Sequence, residues 1–215
     1  MAGSPCWRVA YYCAGLLLLT VVCRAAQTPQ RLPADANSPA PRRVAKPVVS
    51  EYAPDVPPVF LSGGHAQRCR VLVGDEFPTI ELPQIDAGPT RLSTFAGQKA
   101  TVVLFWTPDQ WMSRVALTDM AKDVAAEARH ASVGVIGVVE GATANEARAA
   151  MEKAAATFPQ LLDADGVALD QVGTGTSPRV YVVDRNNRIA WFDMEYSEAT
   201  RRELQQTLSA LTASE

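Results

Sequence analysis

Hydrophobic spacing divides the chain into segments of different period. Ala100–Trp106 reads ATVVLFW, a near-continuous apolar run of β-branched and aromatic residues with Pro108 two positions beyond it. Such a run predicts a strand buried on both faces, as in a parallel sheet flanked by helices. From Ser113 the apolar residues change to helical spacing, at Leu117, Met120, Ala121, Val124, Ala128 and Ala131. Val133–Val139 predicts a second buried strand. Thr143 and Glu146 have capping-box spacing, with a helical stripe of Ala147, Ala150, Met151, Ala154 and Phe158 that Pro159 ends. Gln160–Leu162, a turn over Arg185–Arg188 and a returning strand Ile189–Asp193 follow. Ser197 caps a last helix with Leu204, Leu208 and Leu211 facing inward. Strand, polar turn and helix at Ala100–Arg114 is the place where open α/β sheets carry their chemistry, at the carboxyl end of a central strand.

The N-terminal quarter has neither period. Residues 1–26 have Arg8 as the only charge before the largely apolar stretch Val9–Cys23, with Ala25 and Cys23 forming a small-residue cleavage site. The stretch falls short of the roughly 20 residues of a transmembrane span, so it predicts an export signal, with a retained membrane anchor as the alternative. A lipidated Cys23 fits less well, because Val22 occupies a position that favours a small residue. Residues 27–58 hold eight of the fifteen prolines and read as an extended, semi-rigid linker, solvated by Arg31, Arg42, Arg43 and Lys46. Residues 59–215 then form one domain, large enough to bury a core without staples.

Composition narrows the chemistry. Hydrophobic and charged contents of 47% and 20% are ordinary for a globular chain, and the net charge of −3 gives no electrostatic footprint for nucleic acid. Of the four cysteines, Cys6, Cys13 and Cys23 lie in the first 23 residues, leaving Cys69 alone in the domain and no CxxC anywhere. His65 and His130 lie far apart without paired ligands, so no metal or other cofactor is expected.

Phe105-Trp106, three residues, Gln110, Trp111, Met112, Ser113 and Arg114 resemble the active-site segment of the thioredoxin-like redoxins, in particular the exported TlpA-like branch. That pattern is Phe-Trp, three residues, then Cys-x-x-Cys-Arg. Here Phe105, Trp106 and Arg114 match, while the two cysteine positions fall on Gln110 and Ser113. Val73–Pro78, Ile80–Leu82 and Gly88–Gly97 are similar to the family's opening segment, with its small hairpin and one-turn helix at Leu92–Phe95. Ser177-Pro178 followed by Arg179–Asp184 matches its cis proline and following strand, and Asn187 stands where the family commonly has a positive-φ glycine. The resemblance covers about residues 70–213. It implies an α/β thioredoxin-like fold, a central mixed β-sheet flanked by helices with an N-terminal redoxin-type extension.

The usual reaction needs a thiolate, whose pKa a helix N-terminus lowers. Gln110 has no ionisable proton, and Ser113 has no base nearby in sequence. Leu104 occupies the place where the family keeps a polar or acidic residue for proton movement. The peroxidatic turn Pro-x-x-x-Thr-x-x-Cys is likewise absent; only Pro108 is present. Serine catalysis with His130 fails on geometry, because about 17 residues of helix separate it from Ser113, some 25 Å. In the family the groove between this turn and the cis proline holds an extended peptide by backbone hydrogen bonds, which needs no sulfur. Trp111, Asp109, Arg114, Ser177 and Pro178 are therefore the expected binding residues, with Trp106 in the core and Asp109 as helix N-cap. The expected partner is a protein or extended peptide in that groove, with membrane contact only through an uncleaved residue 1–26 segment. The expected role is an exported, periplasmic or extracytoplasmic binding or scaffolding module without redox activity. The alternative is a thiol–disulfide oxidoreductase or antioxidant redoxin acting through Cys69.

Overall fold

The computed structural model describes residues 46–126, 128 and 132–213. The signal or anchor expected at 1–26, most of the linker, and His130 lie outside the described residues. A five-stranded mixed sheet carries the fold, in the spatial order β7-β6-β5-β8-β9. β5 (Ala100–Trp106) is central and buried at all seven positions. It runs parallel to β6 (Val133–Glu140) and antiparallel to β8 (Arg179–Asp184). β7 (Gln160–Asp163) adds a parallel edge and β9 (Ile189–Asp193) an antiparallel one.

Partners across the sheet assign its two faces. α2 (Trp111–Asp119) continues directly into a π-helical turn, Met120–Ala125, and buries Leu117, Met120 and Val124. α5 (Glu198–Ala213) joins it through Arg201, which pairs with Asp119 and Asp123. Asp193 accepts from Thr200 Oγ1 of α5 at 2.7 Å, so its side chain faces these two helices. Phe192, its neighbour on the strand, faces the other way and stacks on Tyr181, with ring centroids 5.4 Å apart. Phe77 and Phe105 meet Tyr181 edge-on, placing the N-terminal extension on the face away from α2 and α5. Aromatic groups of this size dominate core energetics.

Between β6 and β7, α3 (Ala144–Ala154) starts with the expected capping box: Thr143 Oγ1 accepts from Glu146 N–H, and the Glu146 carboxylate from Thr143 N–H. It ends four residues earlier than the apolar stripe suggests. Ala155 turns left-handed at φ 53°, so Phe158 packs from a loop rather than from the helix. α4 (Val167–Val172) has no strong signature, and its cap lies upstream: the buried Asp163 carboxylate accepts the N–H groups of Ala168 and Leu169. The hairpin β3 (Glu81–Pro83) and β4 (Pro89–Arg91), the 3-10 turn Leu92–Phe95, and positive φ at Asn187 all occur where expected.

The linker boundary is corrected. Residues 48–58 belong to the domain. β1 (Val48–Ser50) pairs antiparallel with β2 (Val59–Leu61). Val56 and Pro57 are buried, and Tyr52 Oη donates to Asp184 at 2.5 Å. Prolines at 54, 57 and 58 lie between the paired strands, where no ladder N–H is needed. A short helix α1 (Gly63–Ala66) follows, capped by Ser62.

Candidate functional site

Three chain segments meet at the carboxyl edge of β5 and β6. Trp106 ends β5 opposite Val139 of β6, and Arg179 pairs with Phe105. Thr107, Glu140 and Ser177 therefore lie at the same level, where the chain leaves the sheet and turns into α2. The Ser177–Pro178 peptide bond is cis. Ser177 Oγ donates to Glu140 Oε1, tying β6 to the segment before β8 over the end of β5.

The turn itself is open. Trp111 is 66% exposed, and Asp109 and Arg114 are also exposed. Arg114 Nη1 donates to the Pro108 carbonyl at 2.6 Å, clamping the turn to the first coil of α2. Gln110, not Asp109, is the N-cap, and its side chain bonds none of the orphan N–H groups, so the expectation for Asp109 is overturned. The positive end of α2 thus faces the turn without a side-chain cap. Ser113 is fully buried, and its hydroxyl has no hydrogen-bond partner among the described residues. A thiol would suit that apolar site better than a hydroxyl, because cysteine packs as a small hydrophobe. Trp106 is core, as expected: it is fully buried, and its Nε1–H donates to Gln160 Oε1 at 2.8 Å. Leu104 is fully buried and offers no proton. Ser177 and Pro178 are buried too, so a ligand at this edge would meet their backbone groups rather than open side chains.

Cys69 lies on the other face of the sheet. Its thiol contacts Met194 Sδ at 3.2 Å and donates to the His65 carbonyl at 3.4 Å, and its backbone bridges to Gly173. The neighbouring Arg179 shares a face with Tyr181, turned from α2; both are buried, and Arg179 Nη2 donates to the Thr174 carbonyl. Burial pushes the Cys69 thiol up, with the Arg179 guanidinium pulling the other way. Burial also raises the Tyr181 phenol, to about 12. His65 pairs with Glu195 at 3.3 Å. Among the described residues no group of three or more His, Cys, Asp or Glu side chains could hold a metal ion.

Glu140 was not anticipated. It is half-buried, and burial pushes its carboxyl up to about 7; the Ser177 hydrogen bond opposes this, Asp163 adds to it, and Arg179 offsets it. Only its position, one residue past a buried apolar strand at the carboxyl edge, could have marked it.

The AhpC/TSA family profile matches residues 73–192, more than half of the chain, and the chain belongs to that family. Solved structures share its thioredoxin-like fold. A Bacteroides thetaiotaomicron protein assigned as a protein disulfide isomerase is 18% identical, with a TM-score of 0.63 over 68% of this chain and 94% of that one. A Chlorobium tepidum protein assigned as a thiol:disulfide interchange protein DsbE is 21% identical, with a TM-score of 0.60 over 66% and 99%. A secreted disulfide oxidoreductase of Mycobacterium tuberculosis is 20% identical, with a TM-score of 0.53 over 61% and 96%. No curated protein matches the chain.

Proposed function

We propose that this chain is an exported thioredoxin-like module that binds an extended segment of a partner protein at the turn Thr107–Arg114 and performs no thiol–disulfide chemistry. The observation that carries the reading is the pair Gln110 and Ser113 at the uncapped start of α2, with the described domain's one thiol, Cys69, packed on the opposite face. A helix N-terminus favours a thiolate, but neither residue can supply one. The backbone edge beside cis Pro178 and the exposed Trp111 need no sulfur to hold a peptide. Residues 1–26 would deliver the domain outside the cytoplasm, cleaved or as an anchor, and residues 27–47 would space it from that segment.

The test is photo-crosslinking capture with the full chain as bait in its exported compartment, compared with Trp111→Ala. Aromatic anchors tend to dominate interface energetics, so the variant should lose about tenfold to a hundredfold in capture, or 1–3 kcal/mol. Capture unchanged by Trp111→Ala would place the partner surface elsewhere.

A further inference from the structure

The Glu140 side chain makes one hydrogen bond among the described residues, with Ser177. It stands at the carboxyl edge, level with Thr107, with one oxygen occupied by Ser177 Oγ. Among the described residues no ion pair reaches it. The charged and titratable groups around it come from β7, beside β6, and from β8, on the far side of β5. Asp163, its register partner on β7, is a second carboxylate whose Oδ2 is spent on capping α4. Arg179 and Tyr181, on β8, are buried; Arg179 Nη2 donates to the Thr174 carbonyl, its Nε and Nη1 have no hydrogen-bond partner among the described residues, and its charge acts on Glu140. Arg179 partly offsets the burial of this carboxyl without forming an ion pair with it, so a cation brought by a partner would be its first direct counter-charge among the described residues.

We propose that Glu140, held by Ser177 beside cis Pro178, selects partner segments that bring a lysine or arginine side chain to this edge. The inference rests on the peptide-binding reading above and names the chemistry of its ligand. Charge complementarity carries it. An ammonium or guanidinium arriving beside a partly desolvated carboxylate gains more than at an open surface, because the surroundings screen the pair less. Arrival of the cation also drives the carboxyl to give up its proton to solvent, so the preference strengthens with rising pH. The raised carboxyl, near 7, sets that range within reach of ordinary buffers.

The experiment measures binding of the full chain to immobilised ten-residue peptides of one uncharged background, differing at a single position: Lys, Arg, norleucine, citrulline or Glu. At pH 8 the Lys and Arg peptides should bind about tenfold tighter than their neutral isosteres norleucine and citrulline, and the Glu peptide weakest. At pH 6 that preference should shrink. In Glu140→Gln, which keeps an acceptor for Ser177, the preference should vanish while the norleucine peptide still binds. The comparison of charged and neutral peptides on the wild-type chain stands without the variant. Peptides bound with no charge preference, or a preference surviving Glu140→Gln, overturn the inference and leave the groove reading intact. A folded chain that binds none of the peptides overturns both.

Discussion

The turn after β5 and the sulfur pair behind β8 are opposite solutions on the two faces of one sheet. At the turn, the backbone is arranged as a thiolate would need it, with an uncapped helix start and an open approach, and the sulfur is absent. Behind β8 the sulfur is present, but Cys69 is packed on Met194 and its thiol donates to the His65 carbonyl, and burial raises its pKa. On the proposed reading, reactivity in this fold depends on where a thiol sits, not on whether the chain has one.

Putting sulfur back at the turn breaks the comparison most sharply. Gln110→Cys with Ser113→Cys should give the chain a measurable insulin-reducing rate where the native chain should have none, and should trap partners as mixed disulfides. The uncapped helix start still favours a thiolate, and at Ser113 a thiol would replace a buried hydroxyl that has no hydrogen-bond partner among the described residues. Disulfide reduction followed by turbidity checks this.

The two tryptophans flanking the turn sharpen it next. Trp106→Ala removes a fully buried ring and orphans Gln160, and should cost about 3–5 kcal/mol of stability by urea denaturation. Trp111→Ala should change stability by no more than about 0.5 kcal/mol, because the ring is exposed. Unfolding of the Trp111 variant would move that residue from the binding surface to the core.

Glu140 gives a smaller effect with a defined sign. Its raised carboxyl means that the folded chain holds a proton that the unfolded chain has already released between the ordinary carboxylate range and about pH 7. Stability from this group is present below that window and falls as pH rises through it. The fall should be on the order of 1–3 kcal/mol, reduced from the full linkage value because the group is partly exposed. Thermal unfolding from pH 4.5 to 8 should show the decline in the wild type and a flatter profile in Glu140→Gln.

The smallest effect separates the thiols themselves. Cys69 should react with iodoacetamide more slowly than free cysteine at pH 7.5, and a thiol at Gln110→Cys faster. Labelling rates by mass spectrometry check both.

Most of the fold was legible because its elements follow local rules. The seven-residue run of β5, the Thr143–Glu146 capping box and the Asn187 turn each carry their cause in neighbouring residues. What sequence hid depends on distant partners. α4 is capped by Asp163 from the preceding strand, and β1 owes its existence to β2 across a proline-rich loop. Proline density suggested a linker there, yet Val48, Val56 and Val59 sit on one buried surface that only the folded hairpin brings together. At the site, the absence of sulfur and the exposure of Trp111 were readable from the turn. Glu140 was not, because its environment is made by Asp163 and Arg179 from two other strands and by Ser177 from the segment before β8.

Turnover by the native chain tests the central claim most directly. Insulin reduction and thiol-dependent peroxide consumption should both equal the no-protein blank, for the wild type and for Cys69→Ser alike. A wild-type rate above the blank that disappears in Cys69→Ser would contradict the account and make Cys69 a catalytic thiol; a rate that survives in Cys69→Ser would contradict it by a chemistry that needs no sulfur in the domain.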